Sequence, residues 1–271
     1  MIAIVFSLYF ILSCLIFIKF NKPDQIRGFF CNFKHMRIIL LTTLLWSISS
    51  QLPAQKIPVN KYGLAVLGTQ QQYAQLVKAD SNQQLVNLEK YIPGIKKDVR
   101  YATTNNFTKQ QLYTNTAIYL RLPAAKALKA VQESLRKKGY GLLIYDAYRP
   151  YHVTEAMFKI VPNDLYAADP RKGSGHNRGV AIDLSMVNLK TNKPVAMPTD
   201  FDDFTMKAHE NYSPPDPTVA ANRKLLRDTM LQHGFKGSST EWWHFYLPDY
   251  KKYPLMDIAF GDENCLGAGL R

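Results

Sequence analysis

Cysteine is scarce in this chain, with only Cys14, Cys31 and Cys265 among 271 residues. Two of the three lie in an N-terminal stretch that has the marks of a processed leader. One thiol remains after processing, which excludes an intramolecular disulfide framework and any Cys-based metal cluster. Acidic residues are also in the minority, 21 against 34 Lys and Arg, for a net charge of +13. Part of that excess sits in residues 1–54, and the remainder carries about +9. A basic surface suits nucleic acid or an anionic wall polymer. No basic run is interleaved with aromatics, and no nucleic-acid motif is present, so no nucleic-acid partner is expected. Internal repeats and low-complexity segments are missing too, which removes solenoids and disordered arrays.

Hydrophobic residues make up 46% of the chain and aromatics 12%, enough for a full-sized globular core. Residues 1–18 are almost wholly apolar, close to the shortest membrane span. A basic stretch follows, carrying Lys19, Lys22, Arg27, Lys34 and Arg37. A second apolar run from Ile38 to Ile48 leads to a cut site at Ala54–Gln55. Met36-Arg37 with that run has the layout of a complete signal peptide. Either translation starts at Met36 or residues 1–18 form an additional anchor. Both alternatives put the basic stretch in the cytoplasm and export the remainder to the periplasm. Residues 1–54 are therefore expected to be a membrane-targeting region, 55–82 a Gln-rich linker with one helix from Gln70 to Lys78, and 83–271 the functional domain.

Within that domain, Leu85–Leu88 is expected as a first strand and Asp98–Thr103 as a second extended segment. From Pro123 to Lys138, Ala124, Ala127, Leu128, Val131 and Leu135 recur at helical spacing between a first-turn proline and Gly139. Leu142–Tyr145 is a buried strand, and Thr154–Ile160 a short helix. Val180, Ile182 and Leu184 alternate with Ala181, Asp183 and Ser185, so one face packs on a core while Asp183 faces the other way, towards the site. Asn188–Asp200 is a hairpin or loop, Thr218–His233 a helix stopped by Gly234, and Trp242–Leu247 the last strand. Without clean βαβ alternation, the pattern predicts an α+β fold: a mostly antiparallel central sheet with flanking helices.

The chemistry concentrates in Ser174-Gly-His176-Asn-Arg-Gly-Val-Ala-Ile-Asp183 and Glu241-Trp-Trp-His244. A carboxylate inside an apolar strand is unfavourable unless paired or bound to metal. His176, Asp183 and His244 supply the three-ligand count of a catalytic zinc site, with a fourth position for water. Glu241, three residues before the last histidine, is a carboxylate able to move protons at that water. The combination points to a zinc peptidase. Arg149 ends a buried strand. It suits a salt bridge to Asp146 or, beside zinc, a developing oxyanion. His152, His209 and His233 are expected to be structural or surface residues.

Four segments in this order resemble the VanX-type D-alanyl-D-alanine dipeptidases, within the LAS group named for lysostaphin, D-alanyl-D-alanine peptidases and sonic hedgehog. They are Asp98-Val-Arg-Tyr-Ala-Thr-Thr-Asn-Asn-Phe107, Tyr145-Asp-Ala-Tyr-Arg-Pro150, the Ser174–Asp183 motif and Glu241-Trp-Trp-His-Phe245. The resemblance spans roughly residues 83–250. It implies one Zn2+ per chain on His176, Asp183 and His244, with Glu241 as general base and acid. Arg149 would stabilise the oxyanion, with Asp146 holding it in place. Ser174 and Asp202 would bind the ends of a small dipeptide substrate, Asp202 through the ammonium. The alternative is a D,D-carboxypeptidase or endopeptidase acting on peptidoglycan peptides. Nothing in the sequence bears on oligomeric state.

Overall fold

A computed structural model describes residues 57–259. The expected targeting region, Met36 and the three cysteines lie outside the described residues. Among those described, no helix is long and apolar enough to cross a membrane.

In chain order the elements are β1 (Val66–Leu67), α1 (Gln70–Ala79), β2 (Leu85–Asn87), α2 (Leu88–Tyr91), β3 (Lys96–Lys97), β4 (Tyr119–Arg121), α3 (Leu122–Arg136), β5 (Tyr140–Asp146), α4 (Tyr151–Ile160), β6 (Ala181–Asn188), β7 (Lys193–Pro194), α5 (Pro217–Gln232), β8 (Lys236–Gly237), β9 (His244–Tyr246) and β10 (Leu255–Met256). The main sheet runs β3-β5-β6-β9-β8, with β7 added to β6. Only its β3–β5 pairing is parallel. The fold is α+β with a mostly antiparallel sheet, as the pattern of segments predicted.

Local chemistry accounts for the helix ends. Pro123 fills the first turn of α3, where its missing N–H removes no helical bond. The chain leaves α3 through Gly139 at φ +83°, a left-handed conformation that glycine adopts without steric penalty. Asp216 caps α5, its side chain accepting from the Thr218 amide. Helix α3 buries Ala124, Leu128, Val131 and Leu135 in the main core. Its packing on β5 aligns that strand, and truncating a residue such as Leu128 would cost about 2–5 kcal/mol.

Two expectations change. Residues 57–82 are no free linker: β1 pairs in parallel with β10, and Tyr73 of α1 is buried, its hydroxyl accepting from the Leu85 amide at 2.6 Å. That pairing also orders the tail beyond Pro254. Asp98–Thr103 is not extended. Its centre is a 3-10 turn at Arg100–Ala102, with the strand earlier at Lys96–Lys97. Long-range bonds decide this, because the Tyr101 carbonyl accepts from both Leu112 and Tyr113 amides. As expected, Asp183 faces the site, and β6 is buried on both faces from Ala181 to Val187.

Candidate metal and catalytic site

The site begins with strand register. Asp183 of β6 lies opposite His244 of β9 on one side. On the other, the β5–β6 register shifts between Ile144 and Asp146, so that Asp146 lies opposite Asp183. A regular ladder would place Tyr145 there. The bulge re-aims one carboxylate, and Asp146, Asp183 and His244 become a row across three strands.

His176 comes from the loop before β6. Its Nδ1 lies 2.7 Å from the Ala147 carbonyl. A carbonyl only accepts, so Nδ1 carries the proton and Nε2 keeps its lone pair. That Nε2 is 3.1 Å from His244 Nδ1 and 3.4 Å from Asp183 Oδ2, while His244 Nδ1 is 2.8 Å from Asp183 Oδ1. One donor atom from each residue falls within a 4.8 Å group. Zinc bonds of about 2.0–2.1 Å in a tetrahedron give ligand-to-ligand edges of about 3.3 Å. The donor set and its spacings fit a zinc ion. Burial opposes ionisation of Asp183, but the two imidazoles hold its carboxyl below the usual carboxylate range.

Arg149 lies behind this group. Its Nε and Nη2 donate to Asp146 Oδ2 at 2.9 and 2.7 Å, and Nη2 is 3.8 Å from Asp183 Oδ2. Asp146 Oδ1 accepts from the Tyr113 hydroxyl at 2.6 Å. Burial disfavours the guanidinium charge, yet Asp146 foremost, and Asp183 besides, hold Arg149 protonated. Its backbone amide donates to the His176 carbonyl at 3.2 Å, so Arg149 and His176 are tied through the main chain as well.

A cavity of about 620 Å³ opens over the row, lined by Arg149, Ser174, His176, Asp202, Glu241 and His244 among others. Glu241 is half-buried there. Burial foremost, with Asp183 and Asp202 adding repulsion, pushes its carboxyl up to about 7. Asp202 is likewise raised to about 7, by burial and by the charge of Asp183. It adopts a left-handed φ of +61°. Its Oδ1 accepts from the Tyr101 hydroxyl at 3.1 Å, while Oδ2 is buried with no hydrogen-bond partner of standard geometry. Ser174 Oγ donates to Asn177 Oδ1 at 3.1 Å.

All eight residues singled out in the sequence therefore meet at one locus: seven line the cavity or supply donor atoms, and Asp146 braces Arg149 from behind. His233 is elsewhere, bonded to Ser134 Oγ at 2.8 Å, and His152 pairs with Asp257 on the surface. Sequence reasoning missed Tyr113, Asn177 and the individual role of Tyr101. Asn177 is wholly buried, and its Nδ2 donates to the Arg149 carbonyl and to Thr154 Oγ1 at 3.0 and 2.8 Å. Its position beside His176 in the Gly-flanked motif was the available signal.

Comparison with known proteins defines the class as a peptidase. The chain matches the Peptidase_M15 family, described as D-Ala-D-Ala dipeptidase, over residues 81–260, and belongs to it. Among curated relatives, it is 34% identical over 177 residues to the D-alanyl-D-alanine dipeptidase of Escherichia coli K12, covering 65% of this chain and 91% of that protein. It is 32% identical over 193 residues to the D-alanyl-D-alanine dipeptidase of Enterococcus faecium, covering 64% and 95%. A solved LdcB LD-carboxypeptidase aligns with 18% identity and a TM-score of 0.36, over 62% of this chain and 70% of that one.

Proposed function

We propose that the protein hydrolyses D-Ala-D-Ala to two D-alanines with one zinc ion per chain. The observation that carries this reading is the convergence of three donor atoms from His176, Asp183 and His244 in the same cavity as Glu241, Arg149 and Asp202. Zinc, when bound, supplies a Lewis acid and lowers the pKa of its water to about 7.

The remaining work belongs to the chain. Glu241, with its carboxyl raised to about 7, is matched to taking a proton from the attacking water and passing it to the leaving amine. Arg149, held by Asp146, presents a fixed cation to the developing oxyanion. Asp202 and Ser174 both line the cavity, Asp202 as the carboxyl group for the substrate ammonium and Ser174 for the other end of the dipeptide. Met36-Arg37 and the apolar run after it support export to the periplasm, where the enzyme would recycle wall-derived dipeptide.

The cavity exceeds what two alanines need, which favours, as a second reading, a D,D-carboxypeptidase or endopeptidase. Hydrolysis of free D-Ala-D-Ala and of a murein pentapeptide, each with chelator and after zinc restoration, decides between them. Zinc-dependent cleavage of the dipeptide alone supports the first reading; cleavage of the pentapeptide supports the second. Activity that survives chelation contradicts both.

A further inference from the structure

Arg121, the last residue of β4, is 0% exposed. Among the described residues, its side-chain hydrogen-bond partners are three carbonyls and one sulfur, with no carboxylate. Its Nη1 donates to the Gln83 carbonyl at 2.6 Å, Nε to the Arg178 carbonyl at 2.7 Å, and Nη2 to the Pro254 carbonyl at 3.3 Å and the Met256 sulfur at 3.1 Å. Its plane lies over the Tyr253 ring at 5.5 Å. Burial lowers its pKa to about 10, so it remains a cation at neutral pH.

Two carbonyls of the turn that follows His176 accept from Arg121. The Arg178 carbonyl takes Nε, and the Gly179 carbonyl takes the Arg121 backbone amide at 2.8 Å. A third carbonyl of the same turn, Asn177, accepts from the Met256 amide at 3.0 Å. Three successive carbonyls after His176 are thus held by Arg121 and Met256, neither of which lines the cavity. Gly179 makes room for this: it sits at φ +67°, and an added Cβ would lie 2.8 Å from Leu85 Cδ2 and 3.3 Å from Arg121 Cγ. A guanidinium fork reaches carbonyls in several directions at once, which a lysine ammonium on a flexible stem does not reproduce.

We infer that Arg121 is a positioning residue for His176, locking the turn behind this ligand to the Gln83 and Pro254–Met256 segments. The inference rests on the reading of His176 as a zinc ligand. Partners that orient a ligand from behind typically alter metal affinity by about 10–100-fold.

The test uses the full chain with Arg121→Lys and Gly179→Ala, and His176→Ala as reference. Zinc dissociation constants are read by chelator competition, with kcat, KM and melting temperature alongside. Either variant that folds is expected to bind zinc about tenfold or more weakly and to lose kcat, with KM changed less than twofold. Zinc affinity and kcat within twofold of wild type in a folded variant would overturn the inference while leaving the zinc reading intact. A wild-type chain with no more affinity for zinc than His176→Ala would overturn both. Should neither variant fold, amide exchange in the wild-type protein decides. Residues 178–180 are expected to be protected to the level of β6, and exchange at loop rates would overturn the lock.

Discussion

The Nδ1 atom of His176 and the carbonyl oxygen of Ala147 lie 2.7 Å apart. This bond joins the two motifs of the site, since Ala147 follows Asp146 at the end of β5 and precedes Arg149. It fixes the tautomer of His176, and the Arg149 amide on the His176 carbonyl joins the two residues a second time. The proposed ligand and the proposed oxyanion donor are thus tied by hydrogen bonds through the same two segments.

Removing the base should separate binding from chemistry. Glu241→Gln is expected to lower kcat by about 10²–10⁴-fold with zinc content unchanged, checked by steady-state kinetics and metal analysis of the same sample. Retention of more than a tenth of the activity would remove Glu241 from the role of base.

The acid limb of kcat/KM follows from the same residue. Glu241 must be ionised to accept a proton, and in the protein without metal its carboxyl is raised to about 7. A nearby dication lowers that value, so activity should fall with decreasing pH along a limb centred at or below about 7. A pH–rate profile with its acid limb centred above 8 would contradict this.

Stability of the chelated protein carries the opposite sign. The carboxyl of Glu241 stands at about 7 when folded against an ordinary 4.5. Its contribution is therefore fully present below about pH 4.5 and is lost as pH rises through 7. At pH 8 the loss amounts to about 3 kcal/mol. Glu241→Gln should then melt at higher temperature than wild type at pH 8 in chelator, with the difference shrinking towards pH 5. Equal melting at pH 8 would show that Glu241 is not strained by burial.

Asp146 and Arg149 should fail differently. Arg149→Ala is expected to reduce kcat by about 10²–10³-fold, the range for losing one oxyanion donor. Asp146→Asn leaves the arginine charge buried beside a neutral amide, and about 3–5 kcal/mol of stability should go with it. Thermal melts and kinetics on both variants check the division. A fully stable Asp146→Asn enzyme would contradict the pairing.

Much of the site was legible because its residues violate their surroundings. Asp183 stands in an apolar run, and His176 lies between glycines; both patterns signal function before any contact is known. The α3 and α5 periodicities likewise need only local spacing. What was hidden depends on distant partners. The bulge between Ile144 and Asp146 leaves no mark in Leu-Leu-Ile-Tyr-Asp. Tyr113 reaches Asp146 from a polar stretch with the composition of a loop. Residues 57–82 fold because β1 finds β10 nearly two hundred residues later, and two-residue strands have no periodicity to read.

Anomalous diffraction at the zinc edge, from crystals grown with zinc, locates the ion itself. One strong peak per chain is expected about 2.0–2.3 Å from His176 Nε2, His244 Nδ1 and an Asp183 oxygen. A peak elsewhere, or none at this group in zinc-replete crystals, would contradict the proposed ligand set.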